Sequence, residues 1–152
     1  MKSEVRVRVA VPSEKGDLEE LQRRASLANP GDRESLLAHP DAIEVPREQL
    51  ESGCVIVAEA EGTVLGFAAV LRRQDGDADL DALFVEPASW RRGIGRELVT
   101  QCGILAKSLG AGSLHVVGNP HAEGFYEACG FEVVGRAETR FGSGLVMRLE
   151  LK

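Results

Sequence analysis

The sequence contains few cysteines, few aromatic residues and no long apolar segment. Its three cysteines, Cys54, Cys102 and Cys129, are odd in number and far apart. This spacing fits neither a disulfide framework nor a zinc site. No stretch approaches the roughly 18 apolar residues of a membrane span, and the first residues alternate charge with valine, unlike a signal peptide. These absences predict free thiols in the reducing cytoplasm, no bound metal and no membrane partner.

Positive charge is also scarce. The 152 residues include 24 acidic and 18 basic side chains, which gives a formal net charge of -6. This balance argues against a nucleic-acid partner, because such proteins carry a basic surface. An acidic surface favours a cationic or amine substrate. With 43% hydrophobic residues the chain has the composition of a soluble protein, and we expect residues 1–152 to form a single domain.

Hydrophobic patterning predicts seven strands with helices between them. Helices are expected at Asp17–Ala28, with Asp17 as the cap, at Arg33–Ala38, after Gly95, and between Asn119 and Gly130, with a further turn at Pro46–Leu50. The predicted strands are Val5–Val11, Cys54–Glu59, Val64–Leu71, Asp79–Val85, Ser113–Val117, Phe131–Arg140 and Leu145–Leu151. Hairpin turns are expected at Glu61-Gly62 and at Gly142-Ser143-Gly144. This order predicts one mixed α/β sheet.

A basic turn containing two glycines follows the fourth predicted strand. Gly93 and Gly95 allow a close approach of the backbone, and free N–H groups at a helix start point at an anion. Arg91, Arg92 and Arg96 add positive charge of a shape that suits phosphate oxygens. The third glycine of the dinucleotide fingerprint is missing, and so is the Lys-Ser or Lys-Thr of a triphosphate loop. The turn therefore predicts a phosphate site of another kind.

Two segments of the chain resemble the GNAT superfamily of N-acetyltransferases. The acetyl-CoA-binding turn of that family reads Gln/Arg-x-x-Gly-x-Gly/Ala; Gly93 and Gly95 fill its glycine positions, and Trp90 stands where Gln or Arg is usual. The run Asn119-x-x-Ala122-x-x-x-Tyr126-Glu127-x-x-Gly130-Phe131 matches a second family pattern at the same spacing. Two patterns in the right order are far more specific than either alone. The resemblance implies a mixed, mostly antiparallel seven-stranded sheet flanked by about four helices.

The same resemblance implies where acetyl-CoA binds. Its pyrophosphate would lie on the backbone from Arg91 through Arg92, Gly93, Ile94 and Gly95 to Arg96. Its pantetheine arm would pair with the fourth strand at Leu83, Phe84 and Val85, where family members splay strands four and five. Asn119 would lie near the arm, although capping the last helix explains this residue equally well. Tyr126, the only tyrosine, would donate a hydrogen bond to the sulfur of CoA.

The general base is expected on the fourth strand. Asp79 and Asp81 are the candidates, and alternation predicts that they share a face with Leu83 and Val85. A carboxylate with a pKa of about 4 and an amine with a pKa of about 10 differ by about six units, or about 8 kcal/mol. The base would thus need a raised pKa, a relaying water or an amine of low pKa. The two carboxylates could instead orient the substrate or simply be solvated.

Two histidines are alternative candidates for the general base. His115 and His121 have suitable intrinsic pKa values for a base.

The predicted activity is transfer of the acetyl group of acetyl-CoA to a primary amine, directly in a ternary complex. The alternative is a non-catalytic acyl-CoA-binding or regulatory module on the same fold. The acceptor could be a small molecule or a peptide, and the final hairpin could pair across a homodimer.

Overall fold

The computed structural model describes residues 4–139 and 142–152, apart from the side chains of residues 30 and 31. Seven strands form one sheet in the order β1-β2-β3-β4-β5-β7-β6. Every neighbouring pair is antiparallel except β4 and β5, which run parallel. The predicted sheet is confirmed. Its strands are β1 (Arg6–Val9), β2 (Val55–Ala60), β3 (Thr63–Arg72), β4 (Ala78–Val85), β5 (Ser113–Gly118), β6 (Glu132–Thr139) and β7 (Gly142–Glu150).

Helices cover both faces of the sheet. Within the described residues they are α1 (Lys15–Ala28), α2 (Pro30–Ala38), α3 (Arg47–Ser52), α4 (Ile94–Ser108) and α5 (Glu123–Ala128). One core lies under α4, where Leu98 and Cys102 are fully buried against Leu114 of β5. The other core lies under α1 and α3, where Leu18 and Leu50 pack against β2 and β3. None of the helices in these described ranges is long and apolar enough to cross a membrane.

The first two helices begin earlier than the sequence predicts. α1 starts at Lys15, so Asp17 lies in its first turn and is not the cap. α2 starts at Pro30 and not at Arg33, because proline suits the first helical position, where no N–H bond is needed. This longer α2 places Asp32 in the first turn of a helix.

One of the two predicted hairpin turns is correct. Glu61 and Gly62 have φ angles of 51° and 79°, as a two-residue turn between twisted strands requires. The turn predicted at Gly142-Ser143-Gly144 is wrong, because these residues pair with β6 inside β7. A Cβ atom at Gly144 would lie 2.6 Å from Cγ1 of Val117, so this glycine permits a close approach in a strand. The predicted end of the sixth strand, Arg140, lies outside the described residues.

The site depends on two irregularities of β4. This strand pairs with β5 only at Ala78–Leu114 and Asp79–His115, although both strands continue beyond these pairs. The two strands therefore splay apart. On the other side, the register with β3 shifts where Ala69 faces Ala82 and Val70 faces Leu80, which leaves Asp81 as the extra residue of a β-bulge.

Candidate functional site

The basic turn ends in a helix start with unused N–H groups. Gly93 precedes α4 in the left-handed conformation, with φ 80° and ψ 6°. The first bond of the helix joins the N–H of Glu97 to the carbonyl of Gly93 at 3.0 Å, and no side chain caps this end. The N–H groups of Ile94, Gly95 and Arg96 therefore have no carbonyl within the helix to bond. Such a helix start suits an anion.

The arginines of the turn carry uncompensated charge. Arg91, Arg92 and Arg96 are exposed, and none of them pairs with an acid among the residues that the structure describes. Arg91 also has a φ of 66°, a left-handed conformation that costs a residue with a Cβ atom about 1 to 2 kcal/mol. Strain of this kind collects at binding sites, where the surrounding structure enforces it.

The two glycines of the turn have different structural reasons. Gly93 is required by its positive φ, and a Cβ atom there would meet nothing within 4 Å. Gly95 is required by packing, since its Cβ would lie 3.1 Å from Cζ of Phe125 and 3.7 Å from Cγ2 of Val85. Gly95 thus brings the start of α4 against the ring of Phe125 in α5.

Trp90 connects the turn to the end of β4. Its indole Nε1 donates a hydrogen bond to the carbonyl of Val85 at 2.7 Å. The side chain stands where the family pattern has Gln or Arg, and it remains 39% exposed. Trp90 therefore ties the turn to the end of β4.

The predicted faces of β4 need a correction. Leu83 and Val85 pack on the α4 side, whereas Phe84 packs on the α1 side. Asp81 lies on the α1 side too, where Nε2 of Gln49 donates to its Oδ2 at 3.4 Å. Asp79 stands between two residues that are buried under α4, so its side chain points to the α1 side as well. The expectation that both carboxylates share a face with Leu83 and Val85 is wrong, because the bulge at Asp81 shifts the alternation.

Tyr126 combines a packed ring with an unpaired hydroxyl. The ring packs edge to face between Phe125 and Phe131, with centroid distances of 5.2 and 5.4 Å. Its Cε2 lies 3.1 Å from where a Cβ of Gly118 would be, at the end of β5. The hydroxyl has no hydrogen-bond partner among the described residues, and it is not a fully buried atom. Burial raises the pKa of Tyr126, so this phenol keeps its proton.

A cavity of about 570 Å³ opens on the other side of the sheet, between α1, α2, β4, the end of β5 and the final hairpin. Its described lining includes two carboxylates and no lysine or arginine. A second cavity, of about 640 Å³, lies beside the outer face of α4 and contains only Arg96 of the predicted site. The lining of the first cavity includes Ser26, Asp32, Asp81, Phe84, Gly118 and Asn119.

Asp32 is the site residue that sequence reasoning missed. Its Oδ1 accepts a hydrogen bond from Nδ2 of Asn119 at 3.2 Å. Burial raises the pKa of Asp32, although the bond from Asn119 and the nearby His121 act in the opposite direction. In the sequence, Asp32 follows Asn-Pro-Gly, which indicates only a break between helices. No local pattern reports its contact with a residue 87 positions away.

Asn119 has the predicted capping role. Its Oδ1 accepts the N–H of His121 at 2.9 Å and caps the short turn that precedes α5. Its other amide atom holds Asp32, so one side chain links the end of β5 to α2.

Three of the predicted bases, Asp79, His115 and His121, are not part of the described lining of this cavity. Asp79 forms an ion pair with Arg73 at 3.3 Å, and its side chain is 47% exposed. Nε2 of His115 lies 2.9 Å from Oδ2 of Asp77, and this carboxylate also accepts the N–H of Ser113. His121 is exposed at the start of the turn before α5. Of the predicted bases, only Asp81 is part of the described lining.

A splayed sheet with a basic, glycine-containing turn beside it is the architecture of an acetyltransferase, as the resemblance implied. The chain belongs to the acetyltransferase (GNAT) family, whose model matches residues 18–131. No curated protein sequence matches the chain.

Solved structures share the fold at low sequence identity. The PaiA N-acetyltransferase of Thermoplasma acidophilum, in complex with coenzyme A, is 20% identical, with 97% of this chain and 99% of that chain covered and a TM-score of 0.77. The N-acetylglutamate synthase of Neisseria gonorrhoeae, complexed with coenzyme A and N-acetyl-glutamate, is 19% identical, with 100% and 36% covered and a TM-score of 0.75. Ard1 of Thermoplasma volcanium is 16% identical, with 97% and 98% covered and a TM-score of 0.71.

Proposed function

We propose that this protein transfers the acetyl group of acetyl-CoA to a primary amine, directly and within a ternary complex. The observation that carries the proposal is the opening between β4 and β5. On its α4 side lie the anion-binding turn and Tyr126, and on its other side lies the acidic cavity. Two substrates that approach from opposite faces of the sheet would meet in this opening. Such placement replaces a bimolecular encounter by a reaction between fixed neighbours.

The turn and β4 together fit acetyl-CoA. The unbonded N–H groups and arginines from Arg91 to Arg96 suit its pyrophosphate. Beyond Asp79, β4 has no partner strand on the β5 side, so an extended pantetheine arm would lie along Leu83, Phe84 and Val85, where the Val85 carbonyl already accepts the indole N–H of Trp90. The bound cosubstrate supplies a thioester, and the neighbouring PaiA structure contains coenzyme A on the same fold.

Tyr126 is the proposed donor to the sulfur of the leaving group. Its hydroxyl is unpaired in the described structure and lies beside the end of β5. Because burial raises the pKa of Tyr126, the hydroxyl donates a hydrogen bond and retains its proton. Such a preorganised donor stabilises charge that develops on sulfur only as the C–S bond breaks.

The acidic cavity is the proposed place of the acceptor. Asp81 lies on its wall beside Phe84 and can attract an ammonium group, whereas Asp79 is bound to Arg73 outside the described lining. Two carboxylates without a basic residue in that lining favour a cationic amine. Both a small-molecule amine and a peptide amine are compatible with a cavity that opens to the surface, and the fold alone selects neither.

An acceptor screen tests the proposed activity. Acetyl-CoA is mixed with a panel of primary amines, diamines, aminoglycosides and peptides, and the release of free CoA thiol is followed. At least one amine should give turnover and an acetylated product by mass spectrometry. The alternative function, a non-catalytic binding module, predicts calorimetric binding of acetyl-CoA without thiol release across the whole panel. Failure to bind CoA at all would contradict the cosubstrate itself.

Direct transfer has a separate test. The enzyme is incubated with acetyl-labelled acetyl-CoA in the absence of an acceptor, and the protein is analysed for label. We expect none, because the described lining of the acidic cavity contains no cysteine, and because burial raises the pKa of Cys102 to about 12 and also raises the pKa of Cys129. A label on Cys54 or Cys129 that an added amine removes would establish a covalent intermediate instead.

A further inference from the structure

Asp32 is the half-buried carboxylate of the acidic cavity, and the GNAT resemblance gives it no role. It lies in the first turn of α2, and one of its two oxygens, Oδ1, is held by Asn119. The other oxygen, Oδ2, has no hydrogen-bond partner among the residues that the structure describes. It is not fully buried either, because no fully buried side-chain oxygen in that part of the chain lacks a partner. Asp32 thus presents one fixed and one free oxygen.

The position of Asp32 places it at the opening in the sheet. Asn119, which holds it, directly follows Gly118 at the end of β5. The ring of Tyr126 packs against Gly118 from the other face, and Asp32 is close enough to raise the pKa of Tyr126 by its charge. The proposed leaving-group donor and Asp32 therefore flank the same strand end.

We infer that Asp32 is the general base that removes the proton from the acceptor ammonium, while Asp81 attracts that ammonium from the same cavity. The inference rests on the proposed acetyltransferase function. A base must lie within hydrogen-bond reach of the proton that it takes, and Oδ2 of Asp32 is free to do so. Asp81 is the weaker candidate, because its carboxylate is exposed to water, whereas that of Asp32 is half-buried.

Electrostatics support this division of roles. A carboxylate in water is a poor base toward an alkylammonium ion, and desolvation narrows the gap between their pKa values. Burial raises the pKa of Asp32, in spite of the opposing hydrogen bond from Asn119. The ionisable groups that face Asp32 are His121 and Tyr126, and Asp81 shares its cavity.

The transfer needs no reactant besides acetyl-CoA, the amine and water. One ammonium proton passes to Oδ2 of Asp32 and leaves a neutral amine. The nitrogen lone pair then forms the C–N bond at the thioester carbonyl carbon, and the C–S bond breaks with its electron pair on sulfur. The nitrogen loses its second proton, which neutralises the thiolate, and Asp32 returns the first proton to water. The products are an acetamide and a free thiol.

Asp32→Asn is the central variant, with Asp81→Asn as its matched control. The asparagine oxygen can still accept the bond from Asn119, so the fold should be kept. With an amine found in the acceptor screen, Asp32→Asn should lower kcat by about 100-fold or more. It should also remove the acid limb of the pH profile and leave CoA affinity by calorimetry unchanged. Asp81→Asn should mainly raise KM for the amine, and Asp32→Glu should recover part of kcat.

A readout without substrate tests the raised pKa of Asp32 independently of activity. The pKa of Asp32 is raised on folding, so the folded protein binds this proton more tightly than the unfolded chain. Stability should therefore fall as pH rises from about 4, the unfolded value, through the folded pKa of this carboxyl. Asp32→Asn lacks this loss, so its Tm relative to wild type should increase over the same pH range.

The outcomes distinguish the two proposals. Full kcat and an unchanged acid limb in folded Asp32→Asn, or a Tm difference that does not change with pH, would overturn Asp32 as the base while the enzyme stays an acetyltransferase. The same kcat loss in Asp81→Asn with no loss in Asp32→Asn would reverse the roles. Absence of turnover in the wild-type protein with every amine would overturn the proposed function, and the base with it.

Discussion

The indole N–H of Trp90 donates to the carbonyl of Val85 at 2.7 Å, and so the residue that departs from the family pattern ties the phosphate turn to β4. Gln or Arg at this position would offer a long polar side chain to the ligand. Tryptophan offers one donor, and the protein backbone already uses it. The contact therefore preorganises the turn before acetyl-CoA binds, at the cost of one carbonyl at the end of the strand.

Trp90→Phe tests this role. The substitution keeps an aromatic ring and removes the N–H donor together with the five-membered ring of the indole, at an exposed position. Because one hydrogen bond contributes about 0.5 to 1.5 kcal/mol, CoA affinity should fall about two- to tenfold. The Tm should change little, since the side chain is 39% exposed and water can solvate the freed carbonyl. Isothermal calorimetry measures the affinity. Tighter binding in the variant would show instead that Trp90 competes with the pantetheine arm for the Val85 carbonyl.

Gly95→Ala tests the contact between α4 and α5. The new Cβ would lie 3.1 Å from Cζ of Phe125, so the ring must shift or the helix start must move. Overpacking of this kind costs about 1 to 3 kcal/mol in a buried site, and we expect the low end because Phe125 is 38% exposed. CoA affinity should fall because the N–H groups of the helix start move with it. In a Phe125→Ala background the clash is absent, so adding Gly95→Ala should not lower stability below that of Phe125→Ala alone. If the double variant instead loses the sum of the two single losses, the packing explanation is contradicted.

The sequence was most informative where chemistry and local structure coincide. The turn from Trp90 to Gly95 needs a positive φ at Gly93, and the start of the last helix needs a cap at Asn119. Both requirements restrict the residue type at one position, so both features are recognisable from the local sequence. The Glu61-Gly62 hairpin was predictable for the same reason. Each of these features is decided by residues adjacent in the chain.

Features that depend on distant contacts were not predictable. The bulge at Asp81 arises from the register with β3 and reverses which faces the carboxylates share. The contact between Asp32 and Asn119 requires α2 and the end of β5 to be neighbours in space. The sequence predicts a turn at Gly144, but this residue lies in a strand, where the absence of a Cβ atom leaves space for Val117. Nothing within a few residues of these positions encodes such relationships.

Asp77→Asn tests whether His115 belongs to the structure or to the catalytic site. The hydrogen bond from His115, followed by bonds from the N–H groups of Gly112 and Ser113, holds the pKa of Asp77 below its usual value. A depressed folded pKa stabilises the protein above the unfolded value of about 4, and this stabilisation is lost as pH falls through the folded pKa. The variant should therefore have a lower Tm at pH 7, and the difference should shrink on acidification below about 4.

Activity supplies the second measurement for that pair. His115 lies outside the described lining of the acidic cavity, so His115→Asn should keep kcat when assayed well below its Tm. Loss of turnover in a fully folded His115→Asn protein, with normal CoA affinity, would instead make His115 the base.

Tyr126→Phe separates the leaving-group role from packing. The substitution keeps the ring between Phe125 and Phe131 and against Gly118, and it deletes a hydroxyl that has no partner among the described residues. Stability should therefore change little, because no cavity forms and no hydrogen bond is lost. The affinity for acetyl-CoA should also change little, because charge on sulfur develops only in the transition state.

Turnover is where the hydroxyl should matter. Removal of one preorganised donor to a developing anion lowers kcat by about 10- to 1000-fold, or about 1.4 to 4 kcal/mol. The size of the loss should depend on the leaving group: an acyl donor whose thiol has a lower pKa needs less stabilisation, so the difference between Tyr126→Phe and wild type should narrow with it. A loss that is the same for every thiol would assign the hydroxyl to positioning. Wild-type turnover in the variant, with chemistry shown to be rate-limiting, would remove Tyr126 from the reaction, and the thiolate would then leave without a hydrogen bond from this hydroxyl.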